Sequence, residues 1–250
     1  MGGNAVLLVN RRAALGLIAG AFLPAGPAQA EPVVAADYDQ FWLWAGVTSQ
    51  PVLARARSLY FLQGEVGLPR RPGAGIRLIA QSGATPHAHP GQIWLAYRVS
   101  TLDWPPPVYD QILARLERWR AAGHPVTGLQ IDFDSGTRQL ERYGRFLADL
   151  RARLPAAYRL SITGLLDWSS QAKPAELAAL RETIDEIVLQ TYQGRRTISN
   201  YRAYVASLVR LRIPFKIGLV QGGEWQAPAD LPENPWFRGY VVFLLNPAPG

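Results

Sequence analysis

The sequence predicts a single-domain α/β protein, an eight-stranded (β/α) barrel of the TIM type. The chain has 250 residues, 48% of them hydrophobic, and such barrels often occupy about 250 residues as one unit. Apolar runs rich in β-branched and aromatic residues alternate with amphipathic helical stretches, as parallel strands alternate with covering helices. A doubly wound open sheet is the alternative. It usually has a Gly-rich phosphate loop after its first strand, where this chain has Trp44-Ala-Gly-Val-Thr48.

Nine segments have the composition of strands, which is one more than a barrel needs. They are residues 41–46, 58–66, 76–81, 93–99, 128–134, 160–165, 186–192, 215–220 and 239–245. A Pro- and Gly-rich turn joins the second and third segments. We therefore expect an extra hairpin within residues 58–81 rather than two barrel strands.

Four helices fit between the strands of the second half, over residues 109–122, 137–154, 173–183 and 200–212. The first has apolar side chains at helical spacing and stops at Gly123, with Pro125 beyond it. The second is ended by Pro155, and the third begins with Pro174, where a missing N–H costs nothing. Helices of this length between strands predict right-handed βαβ units.

Residues 1–30 have the form of a cleavable signal peptide. Arg11 and Arg12 precede an apolar run that is too short to span a bilayer, and Ala28-Gln-Ala30 has the form of a signal peptidase site. The paired arginines also resemble a twin-arginine signal. We therefore expect residues 31–250 to be one periplasmic or secreted barrel domain, with no stable membrane anchor after cleavage. A retained anchor is the alternative.

The net charge is +7, and only two of the 26 basic residues are Lys. Removing the two signal arginines lowers the charge from +7 to +5. The predicted helix over 137–154 carries five Arg interleaved with Glu141 and Asp149, which is typical of a solvated face, so nucleic acid is not a predicted partner. The absence of Cys excludes disulfide scaffolds and Cys-based metal sites, and we predict no cofactor.

The most informative motif is Gln130-Ile-Asp-Phe-Asp134, at the end of the predicted fourth barrel strand. In a strand, Gln130, Asp132 and Asp134 share one face, and in a barrel this face points inward near the end that carries active sites. Neighbouring carboxyls in such a site raise each other's pKa, as acid catalysis requires. The structural alternative is that Asp134 caps the next helix while Asp132 pairs with an interior Arg or Lys.

Polar and aromatic side chains also end other predicted strands. Acids and amides beside Trp rings are what sugar recognition needs, because hydroxyls require polar partners and the C–H face of a sugar stacks on an aromatic ring. A carbohydrate is therefore the predicted partner. The candidate substrate-binding residues are Glu65, Gln130, Asp167, Trp168, Gln190, Tyr192, Glu224 and Trp225. Gln221, like Glu224 and Trp225, follows the predicted strand over residues 215–220.

Together, the Gln130-Ile-Asp-Phe-Asp134 strand, the following helix with Tyr143, Leu160-Ser-Ile-Thr-Gly-Leu-Leu-Asp-Trp168 and Gln190-Thr-Tyr-Gln-Gly194 resemble the bacterial exported proteins grouped as domain of unknown function 3142. That family is similar in layout to glycoside hydrolase family 18. The fourth strand of family 18 carries Asp-Gly-x-Asp-x-Asp-x-Glu, and its sixth strand carries a Tyr that helps to position the substrate acetamide.

The resemblance implies a (β/α) barrel that acts on a glycan. It places Asp132 at the last Asp of the motif, Asp134 at the position of the catalytic Glu, and Tyr192 at the sixth-strand Tyr. Thr127 and Gln130 stand where the motif has its first two Asp residues. A different glycan, a different mechanism and lost activity are therefore all open.

These observations predict an exported glycoside hydrolase acting on a cell-envelope or extracellular polysaccharide. Asp134 is then the general acid, and Asp132 tunes its pKa or orients the substrate. The base or nucleophile would come from Asp167, Glu65 or Glu224, or from the substrate itself. The first alternative is an inactive barrel that binds a glycan or an envelope partner. A metal site built from the two Asp with His87 or His89 is disfavoured, because no further ligand stands at a suitable spacing.

Overall fold

The computed structural model describes residues 30–68, 75–81, 91–134, 136–166 and 168–246, with only the backbone of residues 137, 169, 170 and 209. The first 29 residues of the predicted signal peptide lie outside this part of the chain. Within it, no helix is both long enough and apolar enough to cross a membrane.

Eight parallel strands form a closed barrel, as predicted. They are β1 (Gln40–Leu43), β2 (Ser58–Gly67), β3 (Gln92–Val99), β4 (Val126–Asp132), β5 (Arg159–Leu165), β6 (Glu186–Gln190), β7 (Phe215–Val220) and β8 (Phe237–Phe243). Each strand pairs with the next, and β8 closes the barrel on β1 through the register Val242↔Phe41.

The third predicted segment, residues 76–81, forms the expected hairpin. Arg77–Ala80 pairs antiparallel with β2, with Ile79 opposite Glu65, and is not one of the eight barrel strands. Two short antiparallel pairs lie elsewhere. One joins Glu31–Pro32 to Glu224–Trp225, and the other joins Tyr192–Gln193 to Arg196–Thr197.

The helices are α1 (Pro106–Ala121), α2 (Leu140–Arg153), α3 (Trp168–Gln171), α4 (Pro174–Thr183) and α5 (Tyr201–Val205). Short 3₁₀ turns cover Ala35–Asp37, Pro51–Arg55, Thr137–Gln139, Leu208–Arg210 and Leu231–Glu233. Three of the four predicted helices are confirmed with small shifts at their ends.

The fourth predicted helix, over residues 200–212, is interrupted. The Ser207 hydroxyl donates to the Tyr204 carbonyl oxygen, and a 3₁₀ turn follows α5 in place of further helix. Side-chain hydroxyls that bond nearby carbonyls compete with helix continuation in this way. The segment ends at Arg212, whose φ of 50° is left-handed.

Two apolar clusters build the core. The larger one lies between the strands and the helices, and it includes Ile131 of β4 and Leu147 of α2. The smaller one fills the barrel interior, and we call it the interior cluster. Its members are Trp42, Tyr60, Leu62, Trp94, Ala96, Val188, Val241 and Phe243. The barrel is therefore packed, and a ligand can enter only at its ends.

Candidate functional site

The lower half of the barrel interior holds a buried ion pair. Lys216 of β7 lies 3.0 Å from Glu186 of β6, and both side chains are at most 10% exposed. Lys216 also donates to the Tyr60 hydroxyl at 2.6 Å, and that hydroxyl in turn donates to Glu186. Burial raises the pKa of Tyr60 well above its ordinary value, and the charge of Glu186 adds to the effect. Tyr60 therefore stays a neutral donor.

Hydrogen bonds continue from this pair across the barrel. Ser161 donates to Glu186 at 3.1 Å, Gln130 donates to Ser161 at 3.0 Å, and Trp42 donates to Gln130 at 2.6 Å. Both ends of the Gln130 amide are used, and the residue is fully buried. Gln130, a predicted substrate-binding residue, thus links β4 to β5 and β1 inside the barrel, below the mouth.

Asp132 lies above this network, at the carboxyl end of β4. It is 4% exposed, and Thr163 of β5 donates to one of its oxygens at 2.7 Å. Burial raises the pKa of Asp132 to about 6, and the charge of Asp134 adds to that rise, while the Thr163 hydroxyl and Arg98 oppose it. Since the carboxyl binds and releases its proton near neutral pH, it is suited to proton-coupled chemistry.

Asp134 does not share the strand with Asp132, because β4 ends at Asp132. Its side chain is 65% exposed and accepts a hydrogen bond from Arg98 of β3 at 3.4 Å. The Arg98 guanidinium also lies over the Trp44 ring, 5.8 Å from the ring centroid. Two acidic side chains thus stand at the mouth, one buried and one open to solvent.

The structural alternative is not met for Asp132, and for Asp134 it stays a prediction. The residue that precedes α2 is Gln139, whose side chain makes no capping bond, and the 3₁₀ turn Thr137–Gln139 comes before it. Asp132 has no Arg or Lys within ion-pair distance among the described residues. Asp132 therefore lacks the cationic partner that the structural alternative requires.

An aromatic wall faces the two acids. Trp44 lies 4.4 Å from Trp42 between ring centroids, and Tyr192 lies 5.0 Å from Phe243 of β8. The Tyr192 hydroxyl is buried and has no hydrogen-bond partner among the described residues. Burial raises the pKa of Tyr192 well above its ordinary value, with further contributions from Asp132 and Asp134. The wall thus offers a half-exposed indole and an unused phenol donor.

Two of the candidate substrate-binding residues are indoles that the fold buries, and a third candidate is an exposed acid. Trp168 is fully buried and packs edge-on against Tyr143, and Trp225 packs against Tyr201. Neither indole is therefore an exposed surface for a sugar, because the helices and the N-terminal segment cover it. Glu224 is exposed, but it lies on the short strand paired with Pro32, at the rim.

Two other candidates stay at the mouth. Glu65 is half-buried on β2, in register with Arg98, and Gln190 is half-buried at the end of β6, in register with Leu165. Asp167, His87 and His89 lie outside the described residues, so their positions stay predictions.

Sequence reasoning missed Arg98, Thr163 and Trp44. A usable signal was present in the alternation of Trp94-Leu-Ala-Tyr-Arg98, where every second residue faces inward, and in Ser161-Ile-Thr163. Trp44 lies just beyond the end of β1, where alternation gives no guide.

Residues 93–197 match the family described as Domain of unknown function (DUF3142). The predicted resemblance is confirmed. The DUF3142 match runs from β3 to the hairpin after β6, and so includes Arg98, Asp132, Asp134 and Tyr192. No curated protein matches the chain.

Solved structures give distant likenesses. The Bacillus cereus spore cortex-lytic enzyme SleL is 18% identical with a TM-score of 0.44, and the match covers 66% of this chain and 43% of that one. The chitinase domain of the Clostridium difficile spore coat protein CotE is 13% identical with a TM-score of 0.47, covering 82% and 68%. The xylanase and α-amylase inhibitor protein XAIP-II from Scadoxus multiflorus is 12% identical with a TM-score of 0.48, covering 82% and 92%. The barrel assignment rests on the strand pairing above.

Proposed function

We propose that the protein is an exported glycoside hydrolase that acts on a cell-envelope or extracellular polysaccharide at the mouth formed by β3, β4, β6 and β8. The observation that carries the proposal is the pair of unlike acids. Asp132 is buried with a pKa raised to about 6, and Asp134 stands above it in solvent beside the half-exposed Trp44. Glycoside hydrolysis uses carboxyls held in such different environments.

Asp134 is the acid in this proposal, because it is the one that a glycosidic oxygen can reach. It gives its proton to that oxygen, the C–O bond breaks, and the bonding electron pair leaves with the protonated oxygen. In the free protein, Arg98 donates a hydrogen bond to this carboxyl and lies over the Trp44 ring. A sugar ring that stacks on Trp44 displaces the guanidinium from that ring and leaves the carboxyl open to the glycosidic oxygen.

A second group must complete the reaction. Asp132 is buried below Asp134 and held by Thr163, so it orients the substrate or its neighbour instead of attacking. Among the described acids, Glu65 is at the same end of the barrel, two strands from Asp132. We assign to Glu65, or to a group of the substrate itself, the role of base or nucleophile.

The alternative function is glycan binding without turnover. It is favoured by the Arg98–Asp134 pair and by the shorter side chain of Asp at a position where the resembled motif has Glu. A barrel in which Arg98 keeps Asp134 engaged retains the stacking surface and the phenol donor but does not cleave the glycan.

A glycan panel separates the two functions. The mature chain is incubated with envelope and extracellular polysaccharides, and both binding and new reducing ends are measured at pH 5 to 8. We expect binding and release of reducing ends for at least one glycan. Binding without release favours the inactive barrel, and no binding to any glycan contradicts both functions.

A further inference from the structure

A cavity of about 560 Å³ opens beside the mouth, and the acids at the end of β4 do not line it. Its walls come from the loop after β1, the turn after β6 and the ends of β7 and β8. They consist of Thr48, Ser49, Gln50, Pro51, Arg195, Gln221, Leu245 and Asn246. All of these segments follow the carboxyl ends of barrel strands, so the cavity is on the same face as Asp132 and Asp134. Its volume lies within the range of small-ligand sites.

The floor of the cavity is held rigidly by a pair of amides. Gln50 and Gln221 donate to each other, at 3.1 and 3.0 Å. Gln50 also donates to the Leu245 carbonyl oxygen, and the Leu245 N–H donates to Gln221. These contacts tie the loop after β1 to the ends of β7 and β8.

A third amide fixes the rim. The Asn246 side chain accepts from the Thr48 N–H at 2.7 Å and donates to the Gly46 carbonyl oxygen at 2.9 Å. The three amides thus form a preorganised wall whose hydrogen bonds are largely made within the protein. A ligand must therefore find its main polar partners among the other lining groups, which are the Thr48 and Ser49 hydroxyls and the Arg195 guanidinium.

Among the described residues that line the cavity, Arg195 is the single charged one and none is an acid. It is exposed, and within the described part of the chain its guanidinium has no carboxylate partner. It stands in the turn that starts at Gly194, whose φ is 61°. A guanidinium presents a planar fork of donors that matches the two oxygens of a carboxylate or of a sulfate or phosphate ester.

We propose that this cavity is a subsite for an acidic sugar unit, in which Arg195 binds the anionic group and the Thr48 and Ser49 hydroxyls bind sugar hydroxyls. The inference rests on the proposed function and names its substrate class: a glycan that carries oxyanions along its chain. The acidic unit occupies the cavity while a neighbouring unit lies over Trp44, because the loop that begins after Trp44 forms the cavity wall.

The test compares an acidic oligosaccharide with its uncharged ester and adds a sulfated oligosaccharide as a third probe. The probes are an oligogalacturonate, its fully methyl-esterified form and a sulfated galactan oligosaccharide, and binding is measured by calorimetry at low and high salt. We expect the free acid to bind about 10-fold or more tightly than the ester, because charge-assisted hydrogen bonds contribute at that scale. The sulfated probe shows whether the site accepts sulfate esters as well as carboxylates.

Arg195→Gln is expected to remove that preference and to leave binding of the methyl ester unchanged, whereas Arg195→Lys restores part of it. Arg196→Gln is the matched control, because Arg196 is the next residue and makes the same charge change without lining the cavity. The thermal midpoints of all three variants should equal that of the wild type.

The outcomes separate this inference from the function on which it rests. Equal affinity for acid and ester, or equal loss of affinity in the Arg195 and Arg196 variants, overturns the subsite while glycan binding stands. Failure of every probe, together with failure of the glycan panel above, overturns both.

Discussion

Asp132 and Asp134 are two residues apart, yet they differ in burial and in hydrogen-bond partners. Asp132 is enclosed by β3, β4 and β5 and has one hydroxyl donor, whereas Asp134 is in solvent beside a cation. Burial and different hydrogen-bond partners thus give two like acids different surroundings. This difference, more than the motif itself, is what the proposed chemistry requires.

The raised pKa of Asp132 predicts a pH-dependent stability. Its pKa is 3.8 in the unfolded chain and about 6 in the fold, so the folded state holds the proton more tightly. The charged form therefore destabilises the fold as pH rises from about 4 through 6, by up to about 3 kcal/mol. Asp132→Asn, which can still accept from Thr163, should raise the free energy of unfolding at pH 8 and change it little at pH 4.

Urea unfolding at both pH values checks this expectation. Asp134→Asn is the control, since an exposed pair contributes about 1 kcal/mol or less. If Asp132→Asn changes the free energy of unfolding equally at pH 4 and pH 8, burial does not raise the pKa of Asp132 and the prediction is wrong.

At the scale of elements, the two-residue alternation of β4 predicted correctly that Gln130 and Asp132 face inward. It was wrong for Asp134 because the strand loses its partners. The pairing with β3 ends at Arg98↔Asp132, and the pairing with β5 ends at Ile131↔Ile162. Alternation holds only while a ladder continues, and a sequence does not reveal where the neighbouring strands stop.

The buried tryptophans show a second limit. Trp168 and Trp225 follow predicted strand ends. At such positions the sequence does not show whether an indole is exposed or buried. Trp168 begins α3 and packs under α2, and Trp225 is covered by Tyr201 and Tyr240. Both depend on contacts between distant segments, which local patterns do not contain. The hairpin over residues 58–81, by contrast, was predicted because its signal is local.

Strands β4 and β5 lie so close at Gly128 that adding a methyl group there is predicted to destabilise the fold. A Cβ on Gly128 would lie 2.0 Å from the Arg159 carbonyl oxygen, so the strands would have to separate. Gly128→Ala should cost about 2 to 4 kcal/mol of unfolding free energy. Gly144→Ala is the control, because nothing lies within 4 Å of its added Cβ and helix propensity favours Ala by about 1 kcal/mol. Thermal or urea unfolding measures both, and a stable Gly128→Ala protein would contradict the close pairing.

At the scale of the whole molecule, the polar network of the barrel interior joins strands that are far apart in the chain. It runs from Lys216 through Glu186, Ser161 and Gln130 to Trp42, directly below the mouth. Sequence analysis predicted the eight strands but not this network. Single polar residues in apolar strands show which positions face inward. Their hydrogen-bond partners, however, depend on side-chain rotamers and on how far neighbouring strands are offset along the barrel.

The ion pair in this network predicts non-additive effects of mutation. Lys216→Met leaves Glu186 buried without its cation and should cost about 3 to 5 kcal/mol. The double variant Lys216→Met with Glu186→Gln should recover much of this loss, because an uncharged amide needs no counter-ion. Urea unfolding of the two single variants and the double variant gives the coupling. Additive losses would show that the pair does not act as a unit.

The central claim is that the barrel mouth cleaves a glycan with Asp134 as the acid. The most direct measurement is the release of reducing ends by the wild type and by Asp134→Asn from the glycan that binds best in the panel, at equal protein concentration and with thermal midpoints recorded. We predict that the variant loses at least about 100-fold in rate, binds the glycan with similar affinity and melts at the same temperature, as removal of a general acid predicts. Release at the wild-type rate by Asp134→Asn, or no release by the wild type, would contradict the claim.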